Sequence, residues 1–168
     1  MAPTGKLLAF DLGAESGRGI LGHFDGQRLS LEEIHRFDTG GVAIGDRLYW
    51  DPLRLYSEIE RGLGLTSQAT AEVRSVGIDT WGVDFALLAK DGTLLDNPRH
   101  YRDTRTDGML DEAFQIMPRE KIFAHTGIQF MKLNTLYQLL ALRRSDSPQL
   151  AAADQLLMMP DLLHYFLS

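Results

Sequence analysis

The chain has 168 residues, 44% of them apolar and 24% charged, a composition that supports one packed domain and excludes a disordered or fibrous chain. Its formal charge of -6, from 23 acidic against 17 basic residues, comes with no run of lysines or arginines, so nucleic acid is not an expected partner. There are no cysteines, which removes disulfides, thiolate metal sites and cysteine nucleophiles and fits a reducing cytoplasm.

The N-terminus lacks the basic segment and long apolar run of a signal peptide, and no apolar stretch approaches the roughly 20 residues of a membrane span. A soluble protein with no membrane partner is expected. Leu7-Leu8-Ala9-Phe10 reads as a central strand buried on both faces, ending at Asp11-Leu12-Gly13. Gly19 to Phe24 and Leu29 to Phe37 read as two further strands joined by Asp25-Gly26, so the fold opens on an antiparallel meander. Asp51 caps a helix with Pro52 at its first position, and Leu55, Tyr56, Ile59 and Leu63 give it one apolar face.

Val73 to Ile78 is the next strand, then a polar turn over Asp79 to Asp84, then a strand over Phe85 to Leu88 closed by Asp91-Gly92. From Asp103 the chain turns mostly helical. Met109, Leu110, Ala113, Phe114 and Met117 share a face, Pro118 to His125 forms a short helix ended by Gly127, and Leu133 to Arg144 is a third helix. Ser147-Pro148 starts another, Gln155 to Met159 reads as a short strand, and Pro160-Asp161 opens a last helix rich in Leu162, Leu163, Tyr165, Phe166 and Leu167. So apolar an ending is expected of a chain that belongs to a longer protein.

Three segments carry candidate chemistry. In Asp11-Leu12-Gly13-Ala14-Glu15-Ser16-Gly17-Arg18 an acid at a strand end precedes a turn of small residues and a cation. Glycines at 13 and 17 let backbone amides approach an anion, Ser16 adds a hydroxyl, and Arg18 offers charge-assisted bonds to phosphate. Asp11 then stands where magnesium would take an oxygen ligand, more plausibly through water. The spacing fits neither a Walker loop nor a Rossmann turn, and a strand follows it rather than a helix. An ordinary glycine-rich hairpin turn with a surface acid and arginine remains open.

In Gly77-Ile78-Asp79-Thr80-Trp81-Gly82-Val83-Asp84-Phe85, an indole able to cover the C–H face of a sugar and a glycine lie between carboxylates able to accept from paired hydroxyls. A core tryptophan with turn-capping aspartates reads the same residues equally well. Tyr101-Arg102-Asp103-Thr104-Arg105-Thr106 reads by itself as a helix cap with salt bridges. Histidines 23, 35, 100, 125 and 164 have no metal-ligand spacing, so zinc is not expected.

Taken together and in this order, these segments resemble the rhamnulokinase branch of the FGGY carbohydrate kinase family. The likeness extends through Glu33-Ile34-His35-Arg36-Phe37, Gly127-Ile128-Gln129-Phe130, Asn134-Thr135-Leu136-Tyr137-Gln138-Leu139 and Met159-Pro160-Asp161, with Asp79-Thr80-Trp81-Gly82-Val83-Asp84 its most specific part. The resemblance implies an α/β, actin-like ATPase (ribonuclease H-like) fold. It implies a mixed sheet flanked by helices, with residues 1–168 forming an incomplete N-terminal kinase domain. It also implies ATP and magnesium as cofactors and transfer of the ATP γ-phosphate to the 1-hydroxyl of L-rhamnulose.

By the same resemblance ATP is contacted by Ala14, Glu15, Ser16, Gly17 and Arg18, the sugar by Gly82 with Trp81 and Asp84, and the metal by Asp11. The family's catalytic base, an aspartate in a His-Asp-Thr context, has no match in this chain, which is therefore expected to be inactive alone. Other readings are a kinase of the same family for another ketose or polyol, of the xylulose or fuculose type, and a non-catalytic actin-like sensing or assembly module.

Overall fold

The computed structural model describes residues 4–168. In chain order the strands and first helix are β1 (Gly5–Leu12), β2 (Ser16–Phe24), β3 (Leu29–Asp38), β4 (Val42–Ile44), β5 (Arg47–Tyr49), α1 (Pro52–Ala69), β6 (Val73–Asp79) and β7 (Phe85–Leu88). A 3-10 turn at Thr104–Thr106 leads into α2 (Met109–Ile116), α3 (Arg119–Thr126), α4 (Thr135–Arg144), α5 (Pro148–Ala152), β8 (Gln155–Met158) and α6 (Met159–Leu167).

Alternation along β1 builds the main sheet. Leu8, Phe10 and Leu12 are buried while Leu7 and Ala9 are exposed, so the strand has one face on a core and not both as expected. This is a period-2 pattern that a short apolar run does not reveal. The meander β1-β2-β3 is antiparallel, as expected, and β6 adds beside β1 in parallel to give the order β3-β2-β1-β6. Each fully buried large apolar side chain contributes about 1.5–3 kcal/mol, so this face supplies much of the local stability.

Helix α1 covers that face. Asp51 caps it by accepting the Arg54 amide at 3.0 Å, and Pro52 occupies the first turn as expected. Its buried stripe runs Pro52, Leu55, Ile59, Gly62 and Thr66, leaving Tyr56 and Leu63 half-buried. The stripe includes Gly62, where the helix lies so close to the sheet that a Cβ would stand 2.5 Å from the Phe10 ring. Tyr56 instead meets Phe166 of α6 edge-on, and the His164 ring accepts the Ile78 amide on the β6 edge at 3.2 Å.

The described fold divides into two compact units. One comprises residues up to Gly40, Asp51–Gly82 and Met159–Ser168, the elements just described; the other comprises Gly41–Trp50 and Val83–Met158. In the second, β4 and β5 form a hairpin around Gly45, whose φ of +62° suits glycine, and β7 pairs antiparallel with β8. The β4–β5 hairpin was not expected; the Gly45-Asp46 pair between short apolar runs was its only signal.

All four residues of β7 are buried, and the helical core gathers Met109, Ala113, Ile122, Tyr137 and Ala141. Helix α3 ends at Gly127, left-handed at φ +63°, whose amide returns to the Phe123 carbonyl at 2.8 Å, the stop that the sequence called for. Among the described residues no helix is long and apolar enough to cross a membrane.

Candidate functional site

At the carboxyl end of β1 the chain makes a tight turn over Gly13, Ala14 and Glu15. The Gly13 amide donates to the Ser16 carbonyl at 2.9 Å, and buried Thr39 clamps the turn from beneath. Its hydroxyl donates to the Gly13 carbonyl at 2.6 Å and its amide to the Glu15 carbonyl at 3.2 Å. With these carbonyls occupied, the Ala14 and Glu15 amides of the turn donate to no group among the described residues. Free amides in a tight turn are what an anion needs.

The turn is shorter than the sequence reading had it. Ser16, Gly17 and Arg18 already belong to β2, paired with Asp38, Phe37 and Arg36 of β3. Glycine at 17 has a packing reason that the sequence reading missed: a Cβ there would stand 2.5 Å from the Phe37 ring. Close packing against the Phe37 ring by itself requires glycine at that position.

Arg18 faces Asp11 across the β1–β2 pair, its Nη2 3.1 Å from Oδ2, with both side chains close to half exposed. Directly paired residues project to the same face of a sheet. Arg36, Arg18, Asp11 and Asp79 are partners in succession across β3, β2, β1 and β6, and so form one row of charge, two cations then two acids. Asp79 thereby stands beside Asp11 at the carboxyl ends of two parallel strands, the place where open α/β sheets bind ligands. From the sequence Asp79 reads only as a carboxylate of the sugar segment, because the strand register that sets it beside Asp11 is invisible there.

Among the described residues no group of three potential metal ligands occurs. A site offering one or two carboxylates fits magnesium, which keeps most of its waters and takes the rest of its ligands from phosphate.

On the loop after β6, Trp81 is half-buried and Thr80 donates from its hydroxyl to the Trp81 carbonyl at 3.1 Å. Gly82 is exposed, and a Cβ built on it meets nothing within 4 Å, so no packing inside the chain requires glycine there. Its backbone is open to a close ligand.

In the second unit, Asp84 has no exposed surface. Its carboxylate accepts Trp50 Nε1 at 2.5 Å, the Tyr101 amide at 3.1 Å and Gln138 Nε2 at 2.7 Å. Burial pushes its pKa up, against the opposing pull of those donors. A carboxylate so enclosed organises its surroundings through the three donors it accepts.

The third segment behaves as a cap: Asp103 is buried and accepts the Arg105 amide at 3.0 Å and the Leu48 amide at 2.8 Å. His100 stacks on Trp50 with ring centroids 3.9 Å apart, and burial, aided by the Arg102 charge, lowers its pKa to about 4.

No family model matches the chain. It is 48% identical over 163 residues to a rhamnulokinase of Bacteroides thetaiotaomicron and 43% identical over 161 residues to one of Oceanobacillus iheyensis, covering 97% and 96% of this chain and 34% of each relative. The chain thus spans about a third of the length of the curated relatives it matches. Among solved structures, the xylulose kinase of Lactobacillus acidophilus superposes with a TM-score of 0.81 at 15% identity, over 96% of this chain and 33% of that one. A gluconate kinase from Lactobacillus acidophilus gives 0.79 at 16% identity, over 97% and 33%. The fold is therefore the actin-like ATPase fold of FGGY-type sugar kinases, as the sequence implied, and along nearly all of its length the chain is similar to rhamnulokinases.

Proposed function

We propose that this chain supplies the phosphate turn and the sugar loop of an ATP-dependent kinase that phosphorylates L-rhamnulose at its 1-hydroxyl, in the cytoplasm and without nucleic-acid or membrane partners. The observation that carries the reading is its identity of 48% and 43% to rhamnulokinases across almost every residue it has. The residues fit that chemistry. The free amides of Ala14 and Glu15 and the hydroxyl of Ser16 bind the ATP phosphates at the turn, and Arg18, beside Gly17, neutralises their charge. Asp11 holds magnesium through water, and Gly82 lets the ketose approach the backbone while Trp81 covers its C–H face.

Magnesium, when bound, spreads the charge developing on the transferred phosphoryl group. The proton of the sugar hydroxyl must pass to a base, and none of the 168 residues stands in the His-Asp-Thr context that the resemblance calls for. Residues 1–168 are accordingly read as part of the N-terminal kinase domain, unable to turn over alone.

Calorimetric titration of the chain tests this. Mg·ATP binds weakly, and Asp11→Asn weakens it by about tenfold, the worth of one charge-assisted contact. L-Rhamnulose quenches Trp81 fluorescence more strongly than L-fuculose or D-xylulose at equal concentration. A preference for another ketose overturns the substrate, and rhamnulose-dependent ADP release by the chain overturns the absence of a base.

A further inference from the structure

Arg105 and Thr106 are the residues of the third segment with buried polar atoms left unpartnered among the described residues, and Arg105 is the charged one. Nη2 donates to Gln138 Oε1 at 2.5 Å, but Nε and Nη1 are buried and have no hydrogen-bond partner among the described residues. A guanidinium carries five donors and cannot discharge itself by losing a proton, so its neighbours are expected to answer it. The two nearby carboxylates act on its charge only from a distance and accept no hydrogen bond from its guanidinium among the described residues. Asp103 spends its oxygens on the Arg105 and Leu48 amides, and Asp84 on Trp50, Tyr101 and Gln138.

The surroundings add positive charge. Arg105 lines a cleft of ≈ 370 Å³ together with Arg47, Arg99 and Arg144; Ser145 contributes a hydroxyl, the remaining walls are apolar, and no carboxylate lines it. Arg99 lies over the Tyr49 ring at 4.1 Å and is 3.9 Å from Asp103. Arg47 and Arg144 meet only Asp46, at 3.5 Å, and Glu112, at 2.7 Å, in pairs exposed enough for water and salt to screen. Burial first, then the Arg99 and Arg47 charges, pull the Arg105 pKa down to about 10 despite Asp103 and Asp84. Water can satisfy orphaned N–H groups, but it cannot neutralise four converging cations.

The geometry points to a binding site for a small phosphate-bearing anion in this cleft, with Arg105 at its floor and Arg47, Arg99 and Arg144 around it. The cleft falls in the range of small-molecule sites, about 300–1,000 Å³, which leaves room for a diphosphate or a phosphorylated metabolite. It belongs to the second unit and shares no residue with the turn at 13–18, so it stands independently of the kinase reading.

The test is a titration of the chain with pyrophosphate at fixed ionic strength, followed by calorimetry and by the Nε–H resonance of Arg105. Saturable one-site binding that shifts this resonance is expected. The double variant Arg47→Ala/Arg144→Ala, both exposed and remote from the core, weakens it by roughly tenfold through loss of two screened contacts. Arg105→Lys keeps the charge, loses the fork, and weakens it further while the far-UV spectrum and melting temperature hold near wild type. Unsaturable binding, equal affinity in the double variant, or loss of all binding in Arg18→Ala, which would put the anion on the first turn instead, each overturns the site.

Discussion

A carboxylate without solvent contact survives only if donors replace its water, and Asp84 gathers three of them from residues 50, 101 and 138. The arrangement also fixes its neighbour. Arg105 can only donate, so Gln138 must turn its oxygen to Arg105 and its amide nitrogen to Asp84. Asp84→Ala strands buried donors on Trp50, Gln138 and Tyr101 and is expected to cost about 3 kcal/mol in urea unfolding. Asp84→Asn is little better, because its NH₂ replaces one of the two acceptor oxygens and faces a donor, either Gln138 Nε2 or the Trp50 and Tyr101 N–H pair.

His100 yields a pH prediction. Its folded pKa of about 4 lies below the unfolded value near 6.5, so the unfolded state takes up a proton first as pH falls. Its contribution is complete above about pH 6.5, is lost progressively between about 6.5 and 4, and is level below. Subtracting the pH–stability curve of His100→Phe from that of wild type is expected to leave a slope confined to this window. None of this was readable in the sequence, where Asp84 and Trp81 look alike as loop residues; only the fold decides which of the two is enclosed.

At the scale of elements, the sequence was most informative where local rules act locally. Asp51-Pro52, Ser147-Pro148 and Gly127 marked helix ends through caps and fixed dihedrals, and the structure has helices bounded at those points. Gly127→Ala puts a side chain on a left-handed backbone and is expected to lower stability by about 1 kcal/mol in thermal melts. Gly17 shows where such reading stops. Its glycine follows from a ring twenty residues later on the neighbouring strand, a contact set by register rather than by any local preference. Gly17→Ala is expected to cost about 2 kcal/mol through overpacking, and Phe37→Leu in the same chain should recover part of that loss.

At the scale of the whole molecule, order along the chain revealed the meander and the strand–loop–strand that follows α1, but not that β6 would join β1 in parallel and carry Asp79 to Asp11. That juxtaposition depends on a crossover through α1, which no short window contains. The same sheet ends on β3, ten residues long and exposed at most positions, whose outer backbone has no further strand beside it among the described residues. Unguarded, such a rim is a template on which copies of a protein polymerise, yet β3 carries Glu32, Glu33, His35 and Arg36 along it. Exchanging Glu32, Glu33 and Arg36 for threonine should leave the fold intact but make light scattering climb with concentration, the result expected of an edge whose charges deter pairing with another copy.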